Sequence, residues 1–152
     1  MTKTKKIMKR IAMILLALML AGTAQTVMAQ NAGEKLFDII YDINKHGDYA
    51  YAKKVMKDQG FTLVKKEKGN TDYNYYYASP DGDTLNIGDQ GAVGFGIHAS
   101  FSTEQIGRQA KECAIARGFS CEPDSNIYSD QHHCFLWIFD NTGMWIYGRE
   151  GE

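Results

Sequence analysis

Two prolines and three cysteines are all that the 152 residues contain. With 44% hydrophobic residues, that composition excludes a collagen-like, low-complexity or disordered chain. Three cysteines are too few for a domain held together by disulfides. A glycine-rich stretch, Gly88, Gly91, Gly94 and Gly96, lacks the Lys-Ser/Thr ending of a phosphate-cradling P-loop and reads as turn and close strand packing. There is no serine nucleophile elbow, and the spacings of structural zinc sites are absent. The one long apolar run, Ile11 to Ala21, has 11 residues. Spanning a bilayer takes about 18 or more.

That run belongs to an N-terminal pattern of its own. Lys3, Lys5, Lys6, Lys9 and Arg10 precede it with no acid nearby, and a small-residue stretch ending Val27-Met28-Ala29 follows it. The order is that of a secretory signal peptide, residues 1–29, cleaved after Ala29. No cysteine follows the apolar run, which argues against a lipid anchor. The short basic start looks bacterial, so the expected location is periplasmic or secreted, with no stable membrane anchor after cleavage. The first 29 residues hold five of the 17 basic residues and none of the 18 acidic ones. The remaining chain therefore carries 12 against 18, a net charge of −6. Nucleic-acid binding rests on lysines and arginines neutralising phosphates, so an acidic surface makes nucleic acid an improbable partner. Lys65, Lys66 and Lys68 read as a solvated strand face.

All 18 aromatic residues lie after the leader, and a chain of this length buries enough surface to fold without metals. Leu36, Ile40 and Ile43 recur at helical spacing over Glu34 to Lys45. Gly47 ends that helix, Asp48 caps a second over 49–58, and Gly60 stops it. The period then changes to two. Phe61 to Val64 begins a strand, and Tyr73, Tyr75 and Tyr77 alternate along another. Ser79-Pro80-Asp81-Gly82 is turn chemistry, Thr84 to Ile87 returns, and Ala92 to Phe101 is a further strand. Ser102-Thr103-Glu104-Gln105 predicts a capping box with Ser102 as N-cap of a helix over 103–117, stopped by Gly118. Phe119 to Glu122, His133 to Phe139 and Met144 to Gly148 complete the strands, the last two joined by the turn Asp140 to Gly143.

The expected fold is α+β: an antiparallel sheet with helices packed on one face, in a single domain over 30–152. Gly60-Phe61-Thr62 and Gly118-Phe119-Ser120 each follow a helix, and each leads through an aromatic strand to a glycine-closed turn, 22 and 25 residues on. Halves 34–89 and 90–152 thus share an element order with little residue identity. Either the chain is a duplication, or glycines simply stop helices and close turns in both places. The order over 34–149 resembles the β-lactamase-inhibitor-protein-like architecture. That resemblance implies tandem helix-plus-sheet units with a curved, aromatic-lined face for binding protein. It rests on no specific motif, so it assigns no residue a role.

Cys121 and Cys134 lie on strands expected to pair, and a bridge between them would close a loop of about 14 residues for roughly 3 kcal/mol. Cys113 with Cys121 is the alternative pairing; otherwise Cys113 reads as a small buried residue. His132-His133-Cys134 invites a metal or nucleophile reading, but adjacent strand residues point to opposite faces. Asp81 and Asp83 are explained by their turn. No metal, cofactor or catalytic group is expected.

The aromatics carry the functional expectation. Tyr73, Tyr75 and Tyr77 share one strand face with Tyr76 opposite. Phe135, Trp137 and Phe139 share a face of a later strand, followed by Trp145 and Tyr147. One sheet face must pack on helices; the rings of the other form a binding face or are covered by a further element or an oligomer partner. Rings offer area and a polar tip at small entropic cost. The reading is an exported, non-enzymatic binding module that engages a protein as an inhibitor or immunity-type antagonist through Tyr73, Tyr75, Tyr77, Trp137 and Trp145. The rival readings are a carbohydrate- or small-ligand-binding envelope protein, a small secreted enzyme, and a structural envelope protein with no discrete site.

Overall fold

Three helices and seven antiparallel strands make an α+β fold in the computed structural model, which describes residues 32–89, 91 and 94–148. The leader read over 1–29 lies outside the described residues. Among the described residues, no helix is long and apolar enough to cross a membrane.

Helix α1 spans 32–46 and buries Leu36, Phe37, Ile40 and Ile43, the stripe that its sequence spacing sets on one side. Gly47 ends it with φ of 63°, a conformation that favours glycine. Helix α2 is Tyr49–Asp58; the Asp48 carboxylate accepts the Tyr51 N–H at 2.8 Å, as an N-cap should. Helix α3 is Glu104–Ala116. Its N-cap is Thr103, whose hydroxyl accepts the Ile106 N–H, and not Ser102 as the capping box predicts. Ser102 is held elsewhere: its N–H donates to the buried Asp83 carboxylate at 2.8 Å, which pins the chain one residue before the cap.

The strands are β1 Thr62–Lys68, β2 Tyr73–Ala78, β3 Thr84–Asp89, β4 Phe95–Ser100, β5 Ile127–Ser129, β6 Phe135–Phe139 and β7 Gly143–Tyr147. They form one sheet in the order β1-β2-β3-β4-β7-β6-β5. The two stretches read as similar halves thus run into one another, through the antiparallel pairing of β3 with β4. The strand expected at Phe119 to Glu122 is reduced to a single bridge, Ser120 to Ser129, and β5 follows it instead.

Register decides which side chains meet the helices. Two cross-strand rows, Tyr77–Leu85–Ala99–Met144–Ile138 and Tyr75–Ile87–Ile97–Ile146–Leu136–Tyr128, line one face. All are buried and join Leu36, Phe37, Ile40, Ile43, Ala52, Met56, Ala110 and Ala114 of the three helices in one core. Edge strand β1 is exposed along its whole length. A bulge between Leu63 and Lys65, together with Lys65, Lys66 and Lys68, blunts it against pairing with another chain.

Candidate functional site

Because strand side chains alternate, the residues between those core positions face away from the helices. One row of them crosses the entire sheet: Lys65–Tyr76–Asn86–His98–Trp145–Trp137–Ile127. On β4, β6 and β7 this outer face consists of Gly96, His98, Ser100, Phe135, Trp137, Phe139, Gly143, Trp145 and Tyr147. None of these carries a fixed charge.

The rings touch in an unbroken chain. Phe135 stacks on Tyr147 at 5.5 Å between centroids, and Tyr147 meets Trp145 at 4.8 Å. Trp145 meets Trp137 at 6.2 Å, Trp137 meets Phe139 at 5.0 Å, and Phe139 meets His98 at 5.7 Å. Such contacts contribute about 0.5–1.5 kcal/mol per pair beyond area burial. Glycine explains why the rings lie low. Gly96 pairs with Tyr147 and Gly143 with Phe139, so each ring has a neighbour with no side chain to hold it off the sheet. His98, Trp137, Phe139, Trp145 and Tyr147 are half-buried, while Phe135 is 38% exposed.

Three polar atoms of the long row are buried without a hydrogen-bond partner: Trp137 Nε1, Trp145 Nε1 and Asn86 Oδ1. An unmade hydrogen bond of this kind costs about 1–3 kcal/mol. Between Asn86 and Trp145 sits His98, whose imidazole burial holds below its ordinary pKa. Over β4, β6 and β7 the face is therefore rich in rings, uncharged at neutral pH and short of hydrogen-bond partners; charge enters only at the β1 edge, with Lys65.

The structure divides the five residues singled out in the sequence. Trp137 and Trp145 lie together on the outer face. Tyr75 and Tyr77 do not join them; they pair with Ile87 and Leu85 and are buried beneath the helices, at 9% and 4% exposure. Tyr49 of α2 stacks on Tyr75 and its hydroxyl meets that of Tyr77 at 2.9 Å, so burial and this bond raise the Tyr77 phenol's pKa. They serve as core rather than contact area. Tyr73 has the same parity but extends past the helices; it is 41% exposed, with the Lys66 ammonium 3.9 Å above its ring. The rings that replace them at the site are Phe135, Phe139 and Tyr147. Parity across the Ser79–Asp83 turn carries the signal: it sets Tyr77 opposite Leu85, among aliphatic residues that mark the core side.

The expected bridge between Cys121 and Cys134 is not made, and all three cysteines are free thiols. Leu136 of β6 pairs with Tyr128 of β5, not with the chain around Cys121, which is exposed. The Cys134 thiol is turned into the core, where it accepts from the Asn44 amide at 3.3 Å and burial pushes its pKa up to about 12. His133 has φ of 58° and is exposed while Cys134 is buried, so the neighbours form no common centre. The Asp83 carboxylate accepts the Ser79 hydroxyl and the Ser102 N–H, a structural use. Among the described residues, no three His, Cys, Asp or Glu side chains come together in a metal-holding group. No family model, characterised protein or solved structure matches the chain.

Proposed function

We propose that the protein is an exported, non-catalytic binding module whose outer sheet face docks on the surface of a partner protein. The observation that carries this reading is the continuous, uncharged ring chain from Phe135 to His98 on the face opposite the helices. A sugar is recognised by a flat, exposed ring; here the two indoles are tilted by 34° and half-buried. A broad apolar patch fits the desolvated centre of a protein interface, where tryptophan and tyrosine dominate the energetics. The orphaned indole N–H groups and the Asn86 carbonyl add support, since a partner that reorders the rings would supply what they lack. The resemblance in element order to β-lactamase-inhibitor-protein-like domains belongs to the same reading.

The test is capture from envelope extract with the native protein and with Trp137→Ala, Trp145→Ala and Tyr73→Ala, followed by sedimentation of the purified pair. Capture of one protein that is lost with either tryptophan, kept with Tyr73→Ala and matched by a blue shift in tryptophan fluorescence supports the reading. Capture that survives both tryptophan changes, fluorescence that responds to oligosaccharide alone, or self-association through the face refutes it.

A further inference from the structure

A cavity of about 290 Å3 opens where the α1–α2 turn meets the ends of β2, β3 and β4. Its volume is near the lower end of those that enclose small ligands. Three rings line it, Tyr49, Tyr73 and Phe95, along with three carboxylates, Asp48, Asp72 and Asp89. Its wall among the described residues holds no lysine or arginine.

Tyr49 and the three carboxylates are each held by contacts of their own. Tyr49 is clamped by its stack on Tyr75 and its hydroxyl contact with Tyr77. Asp89 accepts the N–H groups of Thr71 and Gly91, at 2.7 and 2.9 Å. Those backbone donors, Thr71 foremost, hold its carboxyl below the ordinary range, so it remains an anion at neutral pH. Asp72 accepts the Tyr73 N–H at 2.8 Å. Asp48 caps α2, and its charge offsets the partial positive charge of that helix end, which leaves Asp72 and Asp89 to set a negative sign. The carboxylates ring the wall and do not converge on a point, as the absence of a metal-holding group among the described residues shows. Rings with dispersed negative charge are the surroundings that an organic cation prefers over a bare metal ion. The protein already makes one such contact nearby: the Lys66 ammonium lies 3.9 Å from the Tyr73 centroid and 5.2 Å from that of Tyr75.

We infer that this cavity binds an organic ammonium group, with Tyr49, Tyr73 and Phe95 as its aromatic walls and Asp72 and Asp89 as its counter-charges. The site is separate from the outer face, so it stands or falls independently of the docking surface.

The experiment is an NMR titration of the purified protein that follows the ring signals of Tyr49, Tyr73 and Phe95. The probes are tetramethylammonium chloride, butylammonium chloride, calcium chloride and tert-butanol, the last a neutral molecule of similar shape. Saturable ring shifts with at least one ammonium salt, in the millimolar range, and none with tert-butanol are expected. A preference for tetramethylammonium indicates a methylated headgroup as the source, and a preference for butylammonium a primary amine. Tyr73→Ala and Asp72→Asn should each weaken binding about three- to tenfold, while Tyr73→Phe keeps it. Tyr73 is exposed at a strand start, so its variants should fold, which circular dichroism checks. Equal response to tert-butanol, displacement of the ammonium by calcium, or no saturation by about 50 mM of either salt would overturn the inference.

Discussion

Gly107 gives the sharpest test of how the helices sit on the sheet, because two effects of opposite sign meet there. It lies inside α3, where glycine costs about 1 kcal/mol relative to alanine through backbone entropy. On local grounds alone, Gly107→Ala should stabilise the protein by that amount. The tertiary contact says otherwise. A Cβ at this position would strike the Asn141 carbonyl, and it would also stand 2.9 Å from the Asn141 Cα. These are backbone atoms of the β6–β7 turn, which cannot rotate away as a flexible side chain could. Overpacking of this kind costs about 1–3 kcal/mol. If the turn retreats, it loosens the Phe101 N–H to Thr142 carbonyl bond of 2.8 Å, about 1 kcal/mol more. Against the helix gain, the balance is a loss of about 1–3 kcal/mol. For a domain of this size that lowers the melting temperature by roughly 4–12 °C. Urea unfolding followed by circular dichroism measures it, with Glu112→Ala on the exposed side of α3 expected within about 0.5 kcal/mol of wild type. A Gly107→Ala protein as stable as wild type, or more so, would show that α3 does not rest on the β6–β7 turn.

The half-buried His98 imidazole is held below its ordinary pKa, so as pH falls below about 6.5 the unfolded chain takes up that proton first and stability drops. His98→Phe should flatten the stability-versus-pH curve below about pH 6.5; an unchanged slope would contradict the burial of this ring. Native protein treated with a thiol reagent should react rapidly at Cys121, which is exposed, and at Cys134 only after unfolding, with three thiols in total. A total of one thiol would restore a bridge and refute the free-thiol arrangement. Asn44 is 1% exposed and its amide donates to the Gly148 carbonyl at 2.6 Å, tying α1 to the end of β7. Asn44→Ala should cost about 1–3 kcal/mol in urea unfolding, because it removes the tie and strands a part-buried carbonyl; no loss would mean the tie is not made.

Much of the fold is legible in single residues. The Leu36, Ile40 and Ile43 spacing can bury one side only in a helix, and Asp48 between Gly47 and the 49–58 run has one geometric use as a cap. Alternation from Tyr73 and the Ser-Pro-Asp-Gly turn give β2 and β3 with little error. The outer face is half legible: Trp137 and Trp145 fall together on it, whereas Tyr75 and Tyr77, which alternation alone groups with them, lie in the core. Parity along one strand is a local property, whereas which parity faces the helices depends on cross-strand register. A tyrosine row looks the same whether it is core or surface until Leu85 and Ile87 are set opposite it.

The amino-acid order by itself therefore settled the class of fold, the ends of α1 and α2 and the hairpin turns, whose signals lie within a few residues along the chain. The three-dimensional arrangement alone decided that α3 meets the Asn141 turn at a glycine and that the cysteines remain apart. It also decided that the ring-lined outer face excludes the tyrosines of β2 that pack under the helices. Those outcomes turn on how β4 joins β7, a pairing between residues tens of positions apart that no local pattern encodes, and on β5 rather than the Cys121 segment lying beside β6.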